Sequence, residues 1–318
     1  INCKKKKEIF KLKANFFILA AGGLENSRLL FYSRTKNKKL FNSSLPIGQY
    51  YMHHPYHTIG HGYINYKKLK KYFKDNNIKN SPIITCDSQM QIEANHIFIK
   101  QKKITNSGIY LSFKNPNENN NLFKQLRCFA PKLAKNIYDE IKSKEIYEIN
   151  ISTLQEQNSI KSNLINLSKN LDPNGLPLAR LFWKKQTSEV ESCRTILDEL
   201  GKLFINADLG RVVLEEYLYD NTIKYDFTSG NHQMGGTRMG LNVNDSVVDK
   251  NLKVHDIENL FVAGSSVFKT SGHCHPTFTI VQLSLRLADN IIKYTRSTLI
   301  LFFMISKKDS KYLENLIN

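Results

Sequence analysis

Two histidines in the last third of the chain are of the residue type, and lie in the kind of segment, that could move a proton. His232 begins the run His232–Gly240, which contains two adjacent glycines, and His275 directly precedes Pro276. A neutral imidazole has a pKa near physiological pH and can therefore take the proton of a reacting hydroxyl group. The alternative for His232 is a buried histidine bonded to a loop carbonyl, and the surrounding pattern has to decide between the two.

Two segments have the strand–turn–helix pattern that could position such side chains. Each combines a short apolar run, a glycine-containing turn and, directly or after a loop, a helical pattern. Parallel α/β sheets are built from such units and bind ligands at the carboxyl ends of their strands. The predicted strands are Phe16–Ala20 and Asn259–Ala263, the turns contain Gly22, Gly23, Gly264 and Ser265, and the helices are Leu24–Tyr32 and Pro276 to about Tyr294.

The region between these units, from about Tyr63 to Asp226, lacks a strict alternation of strands and helices. Helical spacing of apolar residues predicts helices around Lys132–Lys144 and Ser188–Asn206. Short apolar or alternating stretches lie among polar loops, and this mixture is typical of an α+β domain with an antiparallel or mixed sheet. The stretches are Ile97–Lys100, Gly108–Phe113, Ile149–Leu154 and Leu178–Trp183.

The 318 residues carry a formal net charge of +18, which could indicate a polyanionic partner. The lysines are spread along the chain, however, and their densest runs, Lys4–Lys7 and Lys67–Lys71, accompany no nucleic-acid-binding motif. We therefore predict no nucleic-acid partner. Hydrophobic residues make up 41% of the chain, which is enough for a sizeable core and argues against a disordered protein.

The five cysteines are scattered and include no CxxC pair, so the sequence predicts neither a disulfide framework nor a zinc site, and no metal. Mostly free thiols favour a reducing, cytoplasmic location. A start at Ile1 rather than Met indicates a fragment. The apolar run Leu299–Ile305 is too short for a bilayer, which needs about 20 residues, so no transmembrane segment is predicted.

Five segments, taken together, resemble the signatures of glucose–methanol–choline (GMC) oxidoreductases. His232–Gly240 resembles the family's His-x-Met-Gly-x-Thr-x-Met, and Thr270–Thr279 resembles its Thr-Ser-Gly-x-x-Asn-Pro-Thr-x-Thr. Asn259–Phe268 is similar to the second signature strand and turn. Upstream, Ile18–Leu30 resembles Leu-Ala-Ala-Gly-Gly-x-Glu-Asn-x-Arg-Leu-Leu, and Gly48–Pro55 resembles Gly-Arg-x-x-Met-x-His-Pro.

The resemblance implies an FAD-dependent oxidoreductase that acts on the CH–OH group of a small-molecule alcohol or sugar, with hydride passing to flavin N5. It makes His232 the general base. His275 stands where many members have Asn and others have His, and it would either donate a hydrogen bond to the substrate oxygen or act as a second base. By the same resemblance, contacts to FAD fall on the two turns and on the helix start, where Thr277 and Phe278 would act through their backbone amides. The residues predicted to contact FAD are Gly22, Gly23, Gly264, Ser265, Pro276, Thr277 and Phe278. For Gly22 and Gly23 a plain βα turn without a cofactor contact is an equal alternative.

Four further residues in or beside these segments have two interpretations each. His53 and His54 either border the cofactor or lie in the turn before Pro55 without contact to it, and we favour the turn. Arg238 is predicted to pair with a carboxylate rather than to contact substrate. His273 is predicted to be part of the loop structure, with a minor chance of lining the site.

The implied fold combines α/β and α+β parts. A partial Rossmann-like FAD-binding domain of GMC type would carry an inserted substrate domain with a mixed or antiparallel sheet. The predicted divisions are a remnant of the FAD-binding domain at 1–58, the substrate domain at 59–229, the C-terminal part of the FAD-binding domain with the catalytic residues at 230–296, and a tail at 297–318.

The chain departs from the family pattern at several points. It contains no Gly-x-Gly-x-x-Gly turn to hold the FAD pyrophosphate, Gln49 replaces an Arg, and Gly264 stands where many members have Asp. A catalytically inactive, truncated GMC fragment is therefore the alternative to an enzyme, and a basic protein that binds an acidic ligand is the third reading. Residues 60–148 match no signature, and the sequence indicates neither the substrate, nor the oligomeric state, nor whether oxygen, a quinone or a protein accepts the electrons.

Overall fold

The computed structural model describes residues 2–5, 8–78, 89–114, 121–184, 186–220 and 228–295. The predicted tail at 297–318 and its apolar run lie outside these residues. Within them, no helix is both long enough and apolar enough to cross a membrane. The helices are α1 (Glu25–Lys36), α2 (Tyr66–Asp75), α3 (His96–Lys102), α4 (Asn121–Phe129), α5 (Pro131–Ser143), α6 (Thr187–Asn206) and α7 (277–295).

The strands form four sheets in the described part of the chain. The largest sheet has six strands, and the other three have two strands each. The strands are β1 (Asn2–Lys5), β2 (Glu8–Lys11), β3 (Phe17–Leu19), β4 (Pro55–Asn65), β5 (Gln89–Glu93), β6 (Ser107–Lys114), β7 (Ile146–Gln155), β8 (Leu164–Leu171), β9 (Pro177–Phe182), β10 (Gly210–Leu214), β11 (Thr228–Ser229) and β12 (Leu260–Val262).

The six-stranded sheet is antiparallel throughout and has the order β10-β4-β7-β6-β5, with β11 also paired to β4. Its inner strands carry the apolar residues, and α6 covers one face with side chains such as Leu197 and Phe204. Burial of these side chains supplies the main stabilising free energy of this half of the molecule. The prediction of an antiparallel or mixed sheet for the middle region is confirmed.

A second hydrophobic core surrounds β3 and β12, which pair in parallel. Helices α1 and α7 contribute Leu30 and Leu287 to this core. Because both strands run the same way, the turns that follow them lie at one edge of the pair. The two predicted strand–turn–helix units are therefore present, and they place their glycine turns side by side.

The structure corrects one local prediction, and the predicted domain divisions stay predictions. Ile97–Lys100 is part of helix α3 rather than a strand, because the Asn95 side chain caps the helix by accepting a hydrogen bond from the Phe98 amide. Strand β4 includes residue 58, and its register against β7 shifts between Thr58 and Gly60. The hairpin β8–β9, assigned to the substrate domain, packs against α1, where Arg28 bonds Asp172 at 2.7 Å.

Candidate active site

Two chain segments that are far apart in sequence bring His54 and His232 together. The segment around Met52 runs antiparallel to the segment around Met234, and each amide donates to the other residue's carbonyl, at 2.9 and 3.0 Å. Two residues further along, the Gly230 amide donates to the carbonyl of His54. This pairing fixes the backbone on both sides of His232, so its side chain is held by a strand-like frame rather than by a free loop.

Three histidines form a hydrogen-bonded chain. His54 Nδ1 lies 2.9 Å from His232 Nδ1, and His232 Nε2 lies 3.2 Å from His275 Nδ1. Consecutive rings are close to perpendicular, at 85° and 88°, with centroids 5.0 and 4.9 Å apart. The two predicted catalytic residues are thus in contact, and His54, for which we had favoured a turn role, is the third member.

The hydrogen bond between His54 and Ser271, at one end of the histidine chain, determines which ring nitrogens carry protons. His54 Nε2 lies 3.2 Å from the carbonyl oxygen of Ser271, and a carbonyl can only accept, so Nε2 is the protonated nitrogen of His54. Nδ1 of a neutral His54 is then bare, and His232 must donate to it from its own Nδ1. A neutral His232 therefore presents a bare Nε2, which accepts from Nδ1–H of His275.

Burial favours the neutral forms of His53, His54 and His232 by lowering their pKa values. It lowers the pKa of His54 to about 4, opposed by the hydrogen bond to Ser271, and lowers the pKa of His53 to about 4, assisted by the neighbouring His232. The pKa of His232 is lowered first by burial and then by the charge of His275. His232 is half-buried, so its bare Nε2 combines a neutral state at pH 7 with access to a small molecule.

The buried Gln157 side chain and backbone bond residues that flank the histidine chain. Gln157 Oε1 accepts from the amide of His53 at 3.0 Å and from the indole of Trp183 at 2.6 Å, while its amide nitrogen donates to Glu189. The backbone amide of Gln157 donates to Ser271 Oγ at 3.0 Å. Because Ser271 also receives the His54 hydrogen bond, Gln157 links the loop before α7 to the segment that carries His54.

The predicted cofactor residues at the strand ends divide into two kinds. Gly22 and Gly264 have φ values of +95° and +105°, and a Cβ at Gly22 would meet no atom within 4 Å. At Gly264 the nearest atom to such a Cβ would be Asn26 Nδ2, at 3.8 Å. An extended ligand can therefore approach the backbone at both turns. This open groove at Gly22 and Gly264, called the cradle below, fits the sugar-phosphate chain of a dinucleotide such as FAD.

Gly23 and Ser265 instead support the histidine segment. A Cβ on Gly23 would lie 2.4 Å from the carbonyl oxygen of Gln233, and Ser265 Oγ donates to the same oxygen at 2.6 Å. Both residues thereby fix the residue that follows His232. Their contact with a cofactor remains a prediction. Because both residues contact Gln233, however, they link the turns at the strand ends to the segment that carries His232.

The start of α7 places a free helix terminus next to His275. The first intrahelical hydrogen bond runs from Ile280 to Pro276, so the amides of Thr277 and Phe278 precede the ladder. Pro276 is buried, and proline is favoured at a first turn because its missing N–H costs nothing there. The exposed Phe278 and Thr277 side chains leave these amides accessible, so the helix start can stabilise negative charge beside His275.

Arg238 has the structural role that was predicted for it. Its guanidinium bonds Asp245 and stacks over the Tyr50 ring at 3.4 Å. Sequence reasoning missed Gln157 and Ser271 as supports of the site. Gln157 lies in the short polar run Glu156–Asn158, which is similar to the start of the family's C-terminal region, and Ser271 lies in the signature segment Thr270–Thr279, but neither pattern shows hydrogen-bond partners.

Comparison with known proteins agrees with this geometry. Residues 160–284, which hold both His232 and His275, match the family model for GMC oxidoreductases. The resemblance to GMC oxidoreductases that the signature segments indicate is thereby confirmed for the C-terminal part of the chain.

Among curated relatives, the fructose dehydrogenase large subunit of Gluconobacter japonicus is 25% identical over 299 residues, which cover 90% of this chain and 48% of the relative. The 2-methyl-1,2-propanediol dehydrogenase of Mycolicibacterium austroafricanum is 32% identical over 133 residues, which cover 42% of this chain and 23% of the relative. The chain thus spans about half the length of the first relative and matches less of the second.

Solved structures confirm the fold. Pyridoxine 4-oxidase from Mesorbium loti superposes with a TM-score of 0.55 at 13% identity, over 91% of this chain and 53% of that one. An FAD-dependent oxidoreductase from Chaetomium thermophilum gives a TM-score of 0.51 at 14% identity, over 92% and 57%. The predicted partial GMC-type fold is therefore present in this chain.

Proposed function

We propose that this chain forms the catalytic part of an FAD-dependent oxidoreductase that acts on the CH–OH group of a sugar, polyol or other small alcohol. The observation that carries the proposal is the histidine chain, whose bare His232 Nε2 faces His275 beside the free start of α7. The names of the relatives, a fructose dehydrogenase and a propanediol dehydrogenase, favour such substrates. The cytoplasmic location stays a prediction, and the electron acceptor stays unassigned.

FAD is the cofactor that the proposal requires. Gly22 and Gly264 would admit its ribityl and phosphate chain, and the amides of Thr277 and Phe278 would lie against the flavin ring. Bound FAD would supply the acceptor for the hydride that leaves the substrate carbon. The described residues provide no glycine-rich pyrophosphate turn, so these contacts account for only part of a flavin site.

His232 does the proton chemistry in this proposal. Its Nε2 takes the hydroxyl proton of the substrate while its Nδ1–H remains donated to His54, so the ring does not rotate as it becomes charged. The substrate would replace the direct bond between these two rings: its hydroxyl group would donate to His232 Nε2 and accept from Nδ1–H of His275, which would fix it in one orientation. The amide groups at the start of α7 stabilise negative charge that develops next to the reacting atoms.

An absorbance titration tests the cofactor part of the proposal. FAD is added to the purified protein, unbound FAD is removed, and the visible spectrum of the protein fraction is recorded. A protein-bound flavin spectrum is the expected result, and Gly264→Leu should weaken it because a large side chain would enter the open cradle. A colourless protein fraction at saturating FAD would refute the proposal and favour the inactive fragment.

A further inference from the structure

A cluster of three potential metal ligands lies beside the histidine chain but outside it. Glu93 ends the edge strand β5, and His273 and Cys274 lie in the loop before α7. One ligand atom from each residue lies within 4.8 Å of the other two. His273 Nε2 is 3.2 Å from Glu93 Oε1 and 3.4 Å from Cys274 Sγ.

Two of the three ligand–ligand distances are close to the edges of a tetrahedral zinc site. With Zn–N and Zn–O bonds of about 2.0–2.2 Å and a Zn–S bond of about 2.3 Å, tetrahedral angles put N and O about 3.4 Å apart, and N and S about 3.6 Å apart. The observed distances from His273 Nε2 differ from these values by only a few tenths of an ångström. Small side-chain rotations of Glu93 and Cys274 would therefore complete three-ligand coordination.

The fold holds the histidine of this cluster in place. Only 6% of the His273 surface is exposed, and a Cβ on Gly108 of strand β6 would lie 2.9 Å from His273 Cδ2. Glycine at 108 thus allows the imidazole to pack directly on the sheet. On the carboxylate side, Gln91 donates to Glu93 Oε1 at 3.1 Å and orients it.

The other two ligands are open to solvent. Cys274 is exposed, and the Glu93 side chain is 53% exposed, so a cation can reach the cluster and keep water in a fourth position. A thiolate, an imidazole and a carboxylate together form a donor set that suits Zn²⁺ better than Mg²⁺ or Ca²⁺, which prefer oxygen ligands. This differs from the CxxC pattern on which the sequence-based expectation of no metal depended.

We propose that Glu93, His273 and Cys274 form a binding site for Zn²⁺ or a similar divalent transition-metal ion, with an open fourth position. The ion would tie the loop that carries His275 to the edge of the six-stranded sheet. The metal ion can bind only if His273 Nε2 carries no proton. The ring proton then lies on Nδ1, which is buried and has no hydrogen-bond acceptor among the described residues. The affinity is therefore below that of a closed structural zinc site.

Metal titration of the purified protein tests this proposal without any measurement of activity. Zn²⁺ is followed by isothermal titration calorimetry, and Co²⁺ by the absorbance of its thiolate complex. The wild-type protein should bind one ion, and Cys274→Ser and Glu93→Gln should each weaken binding at least tenfold. Both substitutions change exposed side chains, and circular dichroism of the metal-free variants checks that they fold.

Cys128→Ser provides the matched control, because Cys128 is also an exposed free thiol but is not part of the cluster. This variant should bind both ions as the wild type does. A wild-type protein without a saturable site would overturn the proposal and leave the cluster a hydrogen-bonded group only. Equal binding by the wild type, Cys274→Ser and Glu93→Gln would also overturn it.

Discussion

Replacement of His54 tests whether the histidine chain sets the proton position on His232. The His54 ring is fully buried and packs edge-on against His232. In His54→Phe, a ring of similar shape keeps this contact but removes the acceptor for His232 Nδ1–H. Loss of one partner from a buried hydrogen bond costs about 1–3 kcal/mol. If the whole cost falls on the correctly protonated form of His232, the rate of substrate oxidation falls roughly 5- to 150-fold.

The matched variant His54→Asn separates this effect from simple loss of packing. Its side-chain oxygen can take the place of His54 Nδ1 as acceptor, although the bond to Ser271 is lost, so most of the activity should return. Two measurements follow the effect: ¹⁵N NMR of histidine-labelled protein reports which nitrogen of His232 is protonated, and rapid-mixing absorbance reports the rate of flavin reduction. A wild-type His232 protonated on Nε2, or full activity in His54→Phe, would refute the reasoning.

Three further predictions follow from the same contacts. His275→Asn removes a charge that lowers the pKa of His232, so that pKa should rise and the acid limb of the pH–rate profile should move to higher pH; an unmoved limb would count against their coupling. Gly23→Ala would press a methyl group against the carbonyl oxygen of Gln233 and should lower the free energy of unfolding, measured in urea, by about 1–3 kcal/mol. An unchanged urea midpoint would mean that the turn can shift to accommodate the methyl group. The pKa values of His53 and His54 in the folded state, about 4, lie below the ordinary value of 6.5, so the unfolded state binds more protons between pH 4 and pH 6.5. The free energy of unfolding should therefore be highest above pH 6.5 and fall as the pH drops towards 4. Chemical denaturation midpoints that do not change over this pH range would contradict the stated pKa values.

The sequence predicted the elements that are defined by local patterns. Helix α6 has apolar residues at helical spacing, and strands β3 and β12 are short apolar runs before glycines, so each was placed within a few residues. His232 and His275 were found through signature segments, and the structure places them 3.2 Å apart. Local spacing and ordered signatures therefore located both the frame and the two principal residues.

The contacts that complete the site depend on long-range pairing that no local pattern encodes. His54 and His232 are 178 residues apart and meet only because the backbone at Met52 pairs with that at Met234. The sequence could not show this register. The Glu93 and His273 pair has the same origin, since strand β5 and the loop before α7 come together only in the folded chain.

The direct test of the account is the rate at which a bound flavin is reduced under anaerobic conditions. FAD-loaded protein is mixed with fructose and with a panel of polyols and small alcohols, and the loss of flavin absorbance is followed for the wild type and for His232→Ala. The account predicts reduction of the wild-type flavin by at least one of these donors and, in the variant, a rate about 10²- to 10⁴-fold lower, the usual contribution of a general base. Equal rates in the two proteins would contradict His232 as the base, and a bound flavin that none of the donors reduces would contradict the proposed oxidation of CH–OH groups.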